Sequence, residues 1–157
     1  RTKEINVRKD TFKNFDVVDK RLIIVGENWD NIEIPEDPSI YYANKYVSDE
    51  DVEYFFSQAD VLVLPYERGS ASGVAAIGMH YGLPIIASRV DGIYEQLMDY
   101  EGVMWIDPKD SFGLTEWLYE MYCSNKRKRY PVPERLTWKK VTEQWRELCQ
   151  QSLTKKN

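Results

Sequence analysis

The sequence predicts an α/β fold, a parallel sheet with helices on both faces. Two patterns and one size argument predict it. Short apolar runs rich in branched residues alternate with stretches whose apolar residues recur at helical spacing. Those runs are continuously apolar, as in Asp60-Val61-Leu62-Val63-Leu64, which suits strands covered on both sides. Finally, 157 residues with 43% apolar content make one ordinary domain with material for a core.

Each element has its own signal. Residues 21–25, Arg-Leu-Ile-Ile-Val, stop at Gly26 and read as a buried strand. The stretch 26–38 is turn-rich, with Pro35, Asp37 and Pro38, and a short strand over 39–43 follows. Ser48-Asp49-Glu50-Asp51 opens a helix: the serine caps free N–H groups, and the acids favour the positive helix end. Val52, Phe55, Phe56 and Ala59 fall at i, i+3, i+4 and i+7, one apolar face. The run 60–64 is a strand stopped by Pro65. A Gly/Ser loop spans 66–73, and residues 74–81 form a helix ended by Gly82. Residues 84–88 are another buried strand. Asp91-Gly92 reads as a turn before a short helix over 93–100, and 103–106 is the last clear strand. Asp110 or Ser111 caps a helix carrying Leu114, Trp117, Leu118 and Met121. Pro131 and Pro133 break the chain. A last helix from near Thr137 aligns Trp138, Val141, Trp145 and Leu148 on one stripe. Ile5 and Val7 mark a further strand, but the helix after it would be very short, so the start over 1–20 is expected to be abbreviated or truncated. The chain thus reads as one domain over 1–157, with a C-terminal helix over 134–155.

Composition narrows the function. Twenty-six acids against 21 bases give a net charge of −5 and a pI near 5.0, the wrong balance for a nucleic-acid partner. Mean hydropathy is −0.56, and no apolar run approaches the ~18 residues of a membrane span. The first twenty residues are too polar for a signal peptide, and Arg1 in place of Met is expected of a trimmed or longer chain. Cys123 and Cys149 lack C-x-x-C spacing and fit a reducing, cytoplasmic compartment; a single histidine, His80, cannot build a poly-His metal site.

In an open parallel sheet, ligands bind outside the carboxyl ends of the strands, over helix N-termini. The best such place is the loop after strand 60–64: Pro65-Tyr66-Glu67-Arg68-Gly69-Ser70-Ala71-Ser72-Gly73-Val74. Gly69 and Gly73 let a ligand approach the backbone, Ser70 and Ser72 add hydroxyls, and the free N–H groups at the helix start attract an anion. A phosphate or diphosphate fits this physics. A plain loop with a serine cap fits the composition as well.

Several segments carry a resemblance. Gln58-Ala59-Asp60-Val61-Leu62-Val63-Leu64-Pro65-Tyr66, Ser72-Gly73-Val74, Gly82-Leu83-Pro84-Ile85-Ile86-Ala87-Ser88 and Asp91-Gly92-Ile93-Tyr94-Glu95 resemble, in order and spacing, the C-terminal donor-binding domain of GT-B glycosyltransferases of the family 4 or "group 1" type. Val47-Ser48-Asp49-Glu50-Asp51, Ile106-Asp107-Pro108-Lys109-Asp110 and Leu136-Thr137-Trp138-Lys139-Lys140-Val141 extend it, so that it covers about 21–150. The resemblance implies a Rossmann-like domain, one half of a GT-B fold, that holds a nucleotide diphosphate sugar for retaining glycosyl transfer. The acceptor would bind an N-terminal domain, in the same chain or another. It also implies no obligatory metal. The implied donor contacts are Tyr66, Arg68, Gly69, Ser70, Ala71, Ser72, Gly73 and Val74, with Glu95 toward the ribose or sugar, since a carboxylate accepts two hydrogen bonds. A sugar-nucleotide epimerase and a non-catalytic binding or assembly module of the same fold are the alternatives.

One departure stands out. The family often carries two glutamates, seven residues between them, around this turn; here those places hold Gly69 and Ile77, and Glu67 lies two residues early. Backbone amides and serine hydroxyls are then expected to do more of the diphosphate binding. Asp49-Glu50-Asp51 mimics a D-x-D metal motif but sits where helix caps sit. Arg8 and Lys9 are further candidates to stabilise the leaving diphosphate, and Lys126–Arg129 is a solvated connector or a peripheral membrane contact.

Overall fold

The computed structural model describes residue 12, residues 14–29, residue 31, residues 33–124 and residues 128–154. The expected strand at Ile5 and Val7 lies outside these residues, as do Arg8, Lys9 and part of the basic connector.

Five strands occupy the expected places: β1 Leu22–Val25, β2 Ile40–Ala43, β3 Leu62–Leu64, β4 Ile85–Ser88 and β5 Val103–Ile106. Every pairing is parallel. Among the described residues the strands form two ladders, β1–β2 and β3–β4–β5. The helices are α1 Asp49–Gln58, α2 Gly73–His80, α3 Asp91–Leu97, α4 Ser111–Ser124 and α5 Trp138–Thr154, with a 3-10 turn at Glu134–Leu136.

Continuous apolarity means what it should. All four residues of the central strand β4 are buried, Ile85 and Ala87 on one face and Ile86 on the other. On the first face Ala75 and Met79 of α2 pack with Ile93 and Leu97 of α3. On the second, Leu114, Trp117, Leu118 and Met121 of α4 cover Ile86 and Ile106. Phe15 adds an edge-on ring contact to Tyr119 of α4 at 4.8 Å. Helices on both faces follow from two-sided burial, not from helix propensity.

The helix ends explain the boundaries. Ser48 and Asp51 form a reciprocal capping box: Asp51 N–H donates to Ser48 Oγ, and Ser48 N–H to the Asp51 carboxylate, both at 3.2 Å. The Lys45 ammonium, 2.7 Å from Asp51, is the main reason the Asp51 carboxyl sits below the usual aspartate value. So the acid triplet forms the first turn of a helix, as its position suggested, and Asp51 completes the cap. Asp110 caps α4 by accepting from Gly113 N–H at 2.9 Å. Helix α2 ends in a Schellman turn: Leu83 N–H donates to Gly78 C=O and Gly82 N–H to Met79 C=O, both at 2.9 Å. Gly82 takes φ +67°, where a side chain would be strained.

Two helices differ in their bounds from the sequence reading. Asp91 and Gly92 are the first turn of α3 rather than a turn before it, and α3 ends at Leu97 rather than at residue 100. The proposed helix 134–155 breaks at Thr137, whose extended backbone (ψ 144°) separates the 3-10 turn from α5. Thr137 Oγ1 accepts from Lys140 N–H at 3.3 Å, so the threonine opens α5. The Trp138–Val141–Trp145–Leu148 stripe exists, but it is bare: Trp138 is 86% exposed, Trp145 65% and Leu148 57%.

Candidate functional site

The loop after β3 returns over the carboxyl end of the sheet and enters α2 at Ser72. Ser72 has extended backbone angles and accepts from Ala75 N–H through Oγ at 3.3 Å, the geometry of an N-cap. Its carbonyl takes the first helical bond, from Ala76 N–H at 3.2 Å. The N–H groups of Gly73 and Val74 have no partner among the described residues, as the first turn of any helix dictates. No acidic residue stands in this first turn, unlike that of α1, which holds Asp49, Glu50 and Asp51. The positive end of α2 therefore has no side-chain counter-charge of its own.

Space lies open in front of it. A Cβ built on Gly73 meets nothing within 4 Å, and Val74 is exposed. Beside it, Tyr66 Oη and Ser72 Oγ lie 3.1 Å apart. Two hydroxyls carry two hydrogens and spend one on this bond. Whichever donates, one O–H hydrogen is left for another acceptor. Two backbone N–H groups, one hydroxyl and a helix dipole make a place for an anionic oxygen.

The rest of the loop is held by α3. Gly69 and Ser70 press their backbone onto Gly92, whose hypothetical Cβ would stand 2.6 Å from Ser70 Cα. The Gln96 carboxamide accepts from Ser72 N–H at 2.7 Å and donates to Ser72 C=O at 2.9 Å. Helix α3 is itself fixed from behind: Arg135 pairs with Asp99 and donates to Glu95 C=O at 3.0 Å.

A sequence model of the family described as "Glycosyl transferases group 1" matches residues 5–123, most of the chain and all of this loop. The chain belongs to the group 1 glycosyltransferases. It is also similar to "Uncharacterized glycosyltransferase MJ1607" of Methanocaldococcus jannaschii, 26% identical over 107 residues. That match covers 63% of this chain and 27% of the relative, so the chain spans well under half of that protein's length.

Within this glycosyltransferase domain the candidate residues divide. Tyr66 and Ser72 are hydrogen-bonded at the helix start that Gly73 and Val74 open, and Gly69 and Ser70 are packed against Gly92 of α3. Ala71 and Arg68 are exposed beside it. Glu95 is exposed on α3, one residue before the side chain that reaches the loop. Glu67 is half-buried and tied to Lys109 at 3.5 Å, linking the exits of β3 and β5. His80 is exposed at the far end of α2. Among the described residues no group of three His, Cys, Asp or Glu side chains is set to hold a metal, and no helix is long and apolar enough to cross a membrane.

Gln96 and Gly92 were missed by sequence reasoning. The available signal for Gln96 was its position: a polar residue three places after buried Ile93, on the inward side of a short helix.

Proposed function

We propose that this domain binds the donor of a glycosyl transfer, a nucleotide diphosphate sugar, and holds its diphosphate at the start of α2. The observation that carries the reading is the pair of unpartnered N–H groups at Gly73 and Val74, beside the Tyr66–Ser72 hydroxyl pair and under open space. These donors face an anion without needing to reorganise, so they stabilise negative charge as it develops on the departing diphosphate. Arg68 adds a mobile positive charge beside the loop, and Glu95 is the candidate for ribose or sugar hydroxyls. In this reading the transfer is retaining, uses no obligatory metal and takes place in the cytoplasm.

The acceptor would come from an N-terminal domain in the same chain or another. The bare Trp138–Trp145–Leu148 stripe supports a further packing partner, because an apolar helix face of that size is seldom left in water. Alone, the domain lacks the proximity of donor and acceptor that supplies much of the catalysis, so it should transfer little sugar.

One observation favours a second reading, a non-catalytic binding or assembly module. Gly69 and Ile77 hold the places where the family often carries glutamates, and neither offers a carboxylate.

Calorimetric titration with uridine, guanosine and adenosine diphosphates and their sugars tests the proposal. A half-open site should bind one of them with a Kd of ~0.1–1 mM. No heat with any of them at millimolar concentration (roughly −4 kcal/mol or weaker) removes the donor reading.

A further inference from the structure

We propose that Gln96 is a positioning residue of the anion site: its carboxamide locks the Ser72 peptide so that the Gly73 and Val74 N–H groups stay aimed outward. The inference rests on the donor-binding reading above and adds a residue to it.

The geometry is specific to an amide. One side chain accepts from Ser72 N–H and donates to Ser72 C=O, at 2.7 and 2.9 Å. A flipped carboxamide would set donor against donor and acceptor against acceptor, so the partners fix its orientation. A carboxylate can accept but not donate, and a thioether can do neither usefully. With Ala75 N–H and Tyr66 on Ser72 Oγ, and Ala76 N–H on its carbonyl, every polar atom of Ser72 is engaged. The clamp also decides which donors remain. Ser72 N–H is consumed, and an incoming oxygen is left the amides of Gly73 and Val74.

The match between helix and loop is a matter of spacing. Residues 92 and 96 are four apart on α3, a rise of about 6 Å. Residues 70 and 72 are two apart in the loop, a span of at most about 7 Å. The two spans are compatible: Gly92 meets Ser70 while Gln96 meets Ser72, so α3 holds the loop at two points. A loop fixed at two points loses less freedom when it binds than one that must be ordered by its ligand.

The test compares the 157-residue chain with Gln96→Met and Gln96→Glu, using uridine, guanosine and adenosine diphosphates as probes. Amide hydrogen exchange at Ser72 is followed alongside affinity. In Gln96→Met, Ser72 should lose protection and diphosphate affinity should fall ~5–20-fold, about the worth of one to two hydrogen bonds. Gln96→Glu keeps the acceptor for Ser72 N–H, so protection should persist. Its affinity loss should shrink in part as salt is added, because the new charge repels the diphosphate, and the rest should persist because the carboxylate cannot donate to Ser72 C=O. Unchanged affinity in Gln96→Met while wild type binds overturns the role of Gln96 and leaves the donor reading standing. Full recovery of wild-type affinity by Gln96→Glu at high salt also overturns it, because the carboxylate leaves the Ser72 carbonyl without its donor. Failure of the wild-type chain to bind any of the three diphosphates overturns the donor reading and this proposal together.

Discussion

Ser70 Cα lies 2.6 Å from the point where a Cβ on Gly92 would stand. No real side chain tolerates that distance, so the loop before α2 and the first turn of α3 touch only because residue 92 has none. Gly92→Ala must push the Gly69–Ser70 backbone away. The expected result is a stability loss of ~1–3 kcal/mol by overpacking, together with weaker diphosphate binding. Thermal melts and nucleotide titration on the same variant check this. A variant with wild-type melting and wild-type affinity would show that the loop slides at no cost.

Ser72 and Gly73 should respond differently. Ser72→Ala removes the cap on Ala75 N–H and the hydroxyl paired with Tyr66, so it should cost ~0.5–2 kcal/mol of stability. It should also weaken diphosphate binding by ~0.5–1.5 kcal/mol. Gly73 has open space around its Cβ position and no left-handed φ, so Gly73→Val should fold normally. Its branched side chain occupies the ligand's approach, and affinity should fall well beyond any change in melting temperature. Equal diphosphate affinity in wild type and Gly73→Val would take this turn out of the site.

These contacts also show where a sequence stops being readable. The strands were legible because burial on both faces forces continuous apolar runs, and β4 is the extreme case, with no polar face to display. Ser48 and Ser72 were legible as caps because capping is local, within three residues. Asp91-Gly92 was misread as a turn for the opposite reason. Glycine inside a helix is locally unfavourable, and only the distant Ser70 backbone accounts for it. Gln96 bonds a residue 24 positions away, and no spacing rule reaches that far. The sequence pointed instead to its neighbour Glu95.

The bare stripe on α5 makes a prediction by contrast. Trp138 and Trp145 are large, apolar and exposed, so neither contributes much burial within this chain. Trp138→Gln and Trp145→Gln should each change stability by no more than ~0.5 kcal/mol. Leu114, equally apolar but 2% exposed on the inner face of α4, should cost ~2–5 kcal/mol when cut to alanine. Denaturant titration of the three variants separates the cases. A large loss in either tryptophan variant would mean that α5 folds back on the domain in solution.

Alkaline pH gives the last prediction, through Tyr100. Its ring is buried in the core and meets Tyr130 edge-on, and its hydroxyl donates to Leu83 C=O at 2.8 Å. Burial is the main cause that pushes its pKa from 10.0 up to about 12; the neighbouring Tyr130 adds to the rise and Arg129 opposes it. The folded pKa is above the unfolded one, so between the two values the folded state holds a proton that the unfolded chain has lost. Linkage then leaves stability intact below about pH 10 and lowers it as pH rises from there toward about pH 12. Tyr100→Phe separates two effects. Near neutral pH it strands the Leu83 carbonyl and should cost ~1–2 kcal/mol. At about pH 11 it removes a group that the fold must keep protonated, so the variant should lose less stability between the two conditions than wild type does. Urea midpoints at both pH values measure the difference. A variant whose stability falls as steeply as that of the wild type would assign the alkaline limb to another group.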